Sequence, residues 1–362
     1  MTRVVFYVSS HGFGHAVREA VVLEAFRRLA PDVEIEVRTE AADWIFPSGV
    51  RVVRRGLDIG VVQPESFRLE PRETLVRYAA LAAREGELIE REATELHRAG
   101  VGLVVADIPS AAFAVARRAG VPSVGIGNFC WDWIYEPWVD DAPEYRPLLD
   151  HLRAQHAQAD LLLRLPLHAD MSCFPCIVDI PLIARRGSAD RAATRRRLGL
   201  PLETPLVLLS FGGFPFGGLD EAGLGRIDEY AFVLTDPDAV VDGARNVFQL
   251  PRHGYAYVDL LAACDAVVTK PGYGIVADCL ANQTPMLYAS RGPFREEAVL
   301  IDSLERLGRA VRLPSDALRD WDLRPYLDRL LALDQPWADL PLDGGVVAAE
   351  RLLAMALSAP RP

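Results

Sequence analysis

The chain has 362 residues, half of them hydrophobic and a quarter charged, with a net charge of −11. Single cores stop growing at roughly 250–300 residues, so two domains of ordinary globular composition are expected. The acidic balance argues against nucleic acid or an anionic membrane as partner, since both require basic patches. No signal-peptide pattern opens the chain and no apolar run reaches the roughly 20 residues that span a bilayer, so a cytoplasmic protein is expected.

The first apolar run, "RVVFYV", reads as a buried strand and passes into "SSHGFGHAVREAV", a Gly-rich turn followed by residues at helical spacing. Such a turn leaves unpaired N–H groups at a helix N-terminus, suited to an anion or a close ligand. Gly12 and Gly14 on either side of Phe13 also fit a tight turn without a ligand, but a turn needs neither His11 nor His15. Strand-like runs "EIEVRT" and "RVVRR" follow, then a long amphipathic stretch, "ETLVRYAALAAREGELIEREATELHRAG". "LVVAD" ends a strand at Asp107, which either caps the next helix or orients His15 as an acid orients an imidazole in a triad. After "SVGIGN" comes "NFCWDWIYEPW", whose Trp131, Trp133, Tyr135 and Trp138 fit core packing or an aromatic acceptor pocket.

"LLLRLP" closes the first set of strands, and the Pro-rich stretch from "PLHAD" to "DRAA" reads as the hinge. It holds Cys173 and Cys176 in "CFPC". A zinc site needs a second pair at suitable spacing, and Cys130, Cys264 and Cys279 are isolated in sequence, so packing or loop cysteines are expected. "RAATRRRLGL" reads as the solvated start of a helix.

The second half repeats the plan. "LVLLSFGGFPFGG" sets Ser210, Gly212 and Gly213 after a buried strand, either as an anion nest or as a plain turn. "AFVLTD" and "NVFQL" are strands. In "AVVTKPGYGIVADCL" a strand ends at Thr269, and Lys270, Gly272, Tyr273 and Gly274 open a helix carrying Asp278. The first-turn N–H groups and Lys270 suit a phosphate, and Asp278 suits ribose hydroxyls; both also read as surface charges. After "PMLYAS", Glu296 and Glu297 start another helix, as complements to its dipole or as acceptors for sugar hydroxyls. "AVRL" ends the series. Near-continuous Val/Leu/Ile runs alternating with helices imply parallel strands buried on both faces, an α/β fold with two doubly wound domains and a ligand cleft. The divisions expected are 1–180, 181–345 and a terminal helix in 346–362 that returns to the first domain.

Together, "HGFGHAVR", "NFCWDWIY", "SFGG", "KPGYG" and the Glu-Glu pair resemble the GT-B glycosyltransferases, and most closely the glycosyltransferase-like N-terminal half of L-arabinokinases. The resemblance implies the GT-B architecture, two Rossmann-like domains facing each other across a cleft. It makes His15 the base toward an acceptor and Asp107 its partner. Ser210, Gly212, Gly213, Lys270, Gly272, Tyr273 and Gly274 would then line the donor diphosphate. Asp278 matches the acid at the ribose, with Tyr255 to Val258 at the base edge; Glu296 and Glu297 match the pair facing the donor sugar. His11, Gly12, Phe13, Gly14, Trp131 and Trp133 fall on the acceptor side. Better-known members carry Asp-Gln or Gln-Gln where this chain has Glu-Glu, and the kinase domain of arabinokinases has no counterpart in these 362 residues.

The expectation is therefore an inverting, metal-independent transferase that moves a sugar, UDP-linked in the simplest case, to a small soluble acceptor without a further cofactor. Two alternatives stand beside it. One is a nucleotide-sugar-binding module without chemistry, and the other an epimerase or hydrolase of nucleotide sugars on the same fold.

Overall fold

Every apolar run named above forms a strand in the computed structural model, which describes residues 2–65, 67–211, 221–235, 244–251 and 254–358. The chain divides into two compact units. The first takes in Met1–Val62, Leu69–Ala184 and Pro341–Pro362; the second, Gln63–Arg68 and Arg185–Leu340.

The first unit is built on a seven-stranded parallel sheet in the order β3-β2-β1-β4-β5-β6-β7. Its strands are β1 (Arg3–Val8), β2 (Glu34–Thr39), β3 (Arg51–Arg54), β4 (Val101–Asp107), β5 (Ser123–Gly127), β6 (Leu161–Arg164) and β7 (Ile177–Asp179). The helices are α1 (Gly14–Leu29), α2 (Pro71–Ala82), α3 (Glu85–Arg98), α4 (Ala111–Ala119), α5 (Trp131–Tyr135), α6 (Arg146–His156) and, from the far end of the chain, α14 (Gly344–Ser358). α14 packs on α1. Its two leading glycines make the approach possible. A Cβ on Gly344 would stand 2.1 Å from the Pro181 carbonyl oxygen, and one on Gly345 2.8 Å from Val21.

Among the described residues, the second unit has six parallel strands, in the order β10-β9-β8-β11-β12-β13. In chain order it runs α7 (Arg191–Leu198), β8 (Leu206–Ser210), α8 (Glu221–Gly225), β9 (Ala231–Leu234), β10 (Val247–Gln249), α9 (Tyr257–Ala263) and β11 (Ala266–Thr269). It continues with α10 (Tyr273–Asn282), β12 (Met286–Tyr288), α11 (Arg295–Leu307), β13 (Ala310–Arg312), α12 (Ser315–Arg319) and α13 (Arg324–Leu331). Central strands such as β1, β4, β8 and β11 are buried along nearly their whole length, as strands covered on both faces must be.

Four details differ from the sequence reading. The hinge stretch contains β7, whose three residues are too few to show a period. The long amphipathic stretch breaks into α2 and α3 at Ala83–Arg84, just ahead of Gly86, a weak helix former. In the basic run, Arg195 is buried rather than solvated, its guanidinium donating to the Ala263 carbonyl at 2.8 Å and to Asp265 at 2.7 Å. Finally, Cys130 is not isolated: it meets Cys173. The segments that follow the neighbouring parallel strands β5 and β6 leave from the same end of the sheet. The Leu165 and Ala169 N–H groups tie them together by donating to the Gly127 and Asn128 carbonyls at 3.0 and 2.7 Å.

Candidate active site

In each doubly wound sheet the strand order reverses once, and a crevice opens outside the carboxyl ends of the strands there. In the first unit the reversal lies between β1 and β4, paired in register through Val8 and Asp107. β1 runs into the HGFGH turn, where Gly12 has φ +65°, a conformation that favours glycine, and α1 begins at Gly14. His15 thus arrives beside Asp107 although 92 residues separate them, with Nδ1 2.8 Å from Asp107 Oδ1. Both are buried. The Asp107 carboxylate favours the proton on Nδ1, which leaves Nε2 as the basic nitrogen, while the Arg18 guanidinium, 3.0 Å from the same Nδ1, works against that tautomer.

Arg18, one turn further along α1, donates through Nε to Asp107 Oδ2 at 2.5 Å and makes a second contact to Oδ1. Its third nitrogen reaches Asn128 Oδ1, just past β5, at 2.7 Å. Burial alone would raise the Asp107 carboxyl, but Arg18 and His15 hold it below the usual range. Glu19 behaves oppositely. It is fully buried, and desolvation together with the Asp107 charge pushes it well above the ordinary carboxylate value, favouring the protonated acid.

Aromatic rings floor this site. Trp131 has no exposed surface, its ring centroid lying 5.9 Å from that of His15 and 5.6 Å from that of His11. Its indole N–H donates to Asp58 at 2.7 Å. Trp133 is partly buried against the hydrophobic core of the first unit. His11 stacks over the 60–62 loop, receiving the Val61 N–H at 3.4 Å, and Gly60 is required there because a Cβ would meet His11 at 2.5 Å. Phe13 packs edge-on to Trp44. Beyond Gly14 a Cβ would find open space.

The second unit repeats the construction. Its reversal falls between β8 and β11, where Ser210 and Thr269 are register partners, so the two Gly-rich stretches leave the sheet side by side. Ser210 Oγ lies 2.6 Å from the Tyr257 hydroxyl; Gly212 and Gly213 fall outside the described residues. At the end of β11, Gly272 is the N-cap of α10 in extended conformation, with no side-chain cap and no acid in the first turn. The N–H groups at Tyr273, Gly274 and the next residue are the helix's first, the ones no intrahelical carbonyl can receive. Lys270, 7% exposed, sits beside them; burial and the nearby charge of Arg291 lower it to about 7.

Arg291, just past β12, is a site residue that sequence reasoning missed. Its N–H and guanidinium hold Glu297 and Glu296 at 2.9 and 3.0 Å, and its guanidinium lies 3.7 Å over the Phe294 ring. Both glutamates are buried and serve Arg291 first. Asp278 is likewise claimed from within the unit. Arg185 donates to it from the backbone N–H at 2.8 Å and from Nε at 3.0 Å, and Asp278 is 2% exposed. Desolvation still raises the Asp278 carboxyl. Arg185 also lies 5.6 Å from the Tyr257 ring centre. Tyr255 is half-buried, and Val258 is buried against Gly187, where a Cβ would stand 2.4 Å from its carbonyl oxygen. The signal for Arg18 was its spacing: at i+3 from His15 it must share that helix face. Arg291 and Arg185 gave none, because a lone arginine in a loop reads as solvated.

No family model matches the chain. It is 31% identical over 361 residues to L-arabinokinase of Arabidopsis thaliana, covering 97% of this chain and 34% of that protein. The chain thus spans about a third of that relative's length. An uncharacterized glycosyltransferase of Methanopyrus kandleri is 23% identical over 295 residues, covering 77% of this chain and 83% of the relative. Among solved structures, a transferase from Siraitia grosvenorii in complex with UDP superposes with a TM-score of 0.59 at 12% identity, covering 99% of this chain and all of that one. Sequence and fold together place the chain among proteins of the GT-B glycosyltransferase fold.

Proposed function

We propose that this protein is an inverting glycosyltransferase that uses a nucleotide-diphosphate sugar, UDP-linked, and a small soluble acceptor. The observation that carries the reading is the buried His15–Asp107 pair at the strand-order reversal of the first unit. His15 Nε2 removes the acceptor proton, and the acceptor oxygen or nitrogen attacks the anomeric carbon as the bond to the diphosphate breaks. Asp107 keeps the imidazole in the required tautomer and stabilises the imidazolium that forms. Its charge stays available at neutral pH because Arg18 and His15 hold its carboxyl low.

The second unit supplies the donor side. The first N–H groups of α10 and Lys270 receive the diphosphate, offsetting the charge that grows on it as it leaves. Burial and the charge of Arg291 lower Lys270 to about 7, so an anion beside it favours its charged form. Tyr255 and Val258 flank the nucleobase, and the Arg291–Glu296–Glu297 group faces the sugar. Asp278 contributes through Arg185, which it anchors next to Tyr257 and Ser210. Helix and lysine charge do here what a divalent ion does elsewhere, so turnover needs no added Mg²⁺ or Mn²⁺.

One observation favours a second reading, a nucleotide-sugar-binding module without chemistry: Arg18 already engages both oxygens of Asp107. The test of the donor assignment is a thermal-shift screen of nucleoside diphosphates and their sugars, with Lys270→Met alongside. A ligand at 100 times its Kd adds about 2.7 kcal/mol. UDP or a UDP-sugar should raise the melting temperature of the native protein and much less that of Lys270→Met. No shift with any nucleoside diphosphate would overturn the donor site.

A further inference from the structure

Away from His15 and the donor residues, four side chains converge in the first unit. Cys130 precedes α5, Asp132 lies within it, His156 ends α6, and Cys173 belongs to the loop between β6 and β7. One ligand atom from each lies within 4.8 Å of all the others. Cys130 and His156 have no exposed surface, and Asp132 is 4% exposed. Cys176, the other half of CFPC, points to solvent and takes no part.

The group is incomplete as a hydrogen-bonded cluster. Among the described residues, the fully buried His156 faces Asp132 with Nδ1 3.3 Å from Oδ1, an ion pair when the imidazole is protonated but not a well-aligned hydrogen bond. The other carboxylate oxygen is well placed: Arg153 Nε donates to Asp132 Oδ2 at 3.1 Å, fixing the carboxylate so that Oδ1 faces inward. The Phe113 and Phe174 rings, with centroids 6.0 and 4.9 Å from that of His156, close the site on its apolar side.

We propose that Cys130, Asp132, His156 and Cys173 form a tetrahedral zinc site. Two sulfurs, an imidazole nitrogen and a carboxylate oxygen are a donor set suited to zinc rather than to magnesium or calcium, which take oxygen. Zn–S distances of about 2.3 Å and Zn–N of about 2.0 Å imply donor–donor separations of roughly 3.3–3.8 Å, so the cluster needs to contract by only about 1 Å. Four protein ligands leave no open position, which makes the ion structural, and no step of the proposed transfer passes through it. Its work is to staple three segments that the sheet alone does not join: the start of α5, the end of α6 and the β6–β7 loop. Trp131 stands between two of the ligands in sequence, so the same staple steadies the ring that floors His15. Arg153 is the outer partner that aims Asp132.

The experiment is metal analysis of the protein purified under reductant without added metal, then challenged with equimolar Zn²⁺ and desalted. One zinc per chain is expected in the native protein and in Cys176→Ser, and none in Cys173→Ser or His156→Ala. Arg153→Gln, which keeps all four ligands, should weaken zinc about 10–100-fold in a competition with a chromogenic chelator. Should the ligand variants fail to fold, Co²⁺ loading of the native protein decides the matter, since two thiolates and tetrahedral geometry give intense charge-transfer and visible bands. Zinc no higher in native protein than in Cys173→Ser, a pale octahedral Co²⁺ spectrum, or a Cys130–Cys173 disulfide persisting under reductant would each overturn the proposal.

Discussion

Glu19 shows most plainly how one side chain of the site answers to its neighbours. It is fully buried beside Asp107, and burial with the Asp107 charge raises its carboxyl well above the ordinary range. In the unfolded chain the same group ionises near 4.3. Between that value and its folded one the unfolded state holds fewer protons, so this residue's contribution to stability falls as pH rises. Glu19→Gln, which mimics the protonated acid, should remove that slope. Urea midpoints taken at pH 5 and pH 7 should draw apart less in Glu19→Gln than in the native protein, and the variant should be the more stable at pH 7. An identical pH dependence in both would mean that Glu19 is ionised in the fold. His15 and Lys270 are marked in the sequence by a Gly-rich turn after a strand, and Asp107 by its place at a strand end. Glu19 is not marked, and Arg18 only by its i+3 spacing from His15, since charged residues on an amphipathic helix ordinarily face water, and only the burial of that face reverses the expectation. Cys130 and Cys173 were invisible for another reason: neighbouring strands join them across 43 positions, with no spacing motif to mark the pair.

At the level of elements, α10 does the most with the least. It has no side-chain cap and no first-turn acid, so nothing from its own first turn offsets the positive end of its dipole. Lys270, lowered to about 7 by burial and Arg291, reinforces that end only when protonated. Above pH 7 a bound diphosphate must therefore draw a proton onto Lys270, and affinity for UDP should fall as pH rises from 7 to 9. Calorimetry in two buffers of different ionisation enthalpy should show net proton uptake at pH 8, and Lys270→Met should bind more weakly with no such uptake. Proton-neutral binding in the native protein would mean that the lysine does not meet the diphosphate. The strands were readable because long β-branched runs between glycines have few other fates in a chain of this composition. The short β7 and the break between α2 and α3 were not, because three residues carry no period and the helical spacing runs on through Ala83 and Arg84.

On the scale of the whole molecule, the two ends of the chain meet in one unit, as α14 packs on α1. Ala348, Ala349 and Leu352 are completely buried there, and α1 is the helix that carries His15. Removing the chain from Pro341 onward should cost about 3–6 kcal/mol, at roughly 25 cal/mol per Å² of apolar surface uncovered. The loss is read as a lower urea midpoint, and an unchanged midpoint would show that the helix contributes nothing to the first unit. The proposed transfer gives the two units separable tasks, the base from one and the diphosphate cradle from the other. The most direct measurement is therefore a paired one on His15→Ala: turnover of a UDP-sugar in the presence of acceptor, and the Kd for UDP. A positioned general base contributes typically ~10²–10⁴-fold, so kcat should fall by that order while the UDP Kd stays within about twofold. His11→Ala, by contrast, should raise the acceptor KM more than it lowers kcat. Full turnover in His15→Ala would contradict the account, whatever the affinity for UDP.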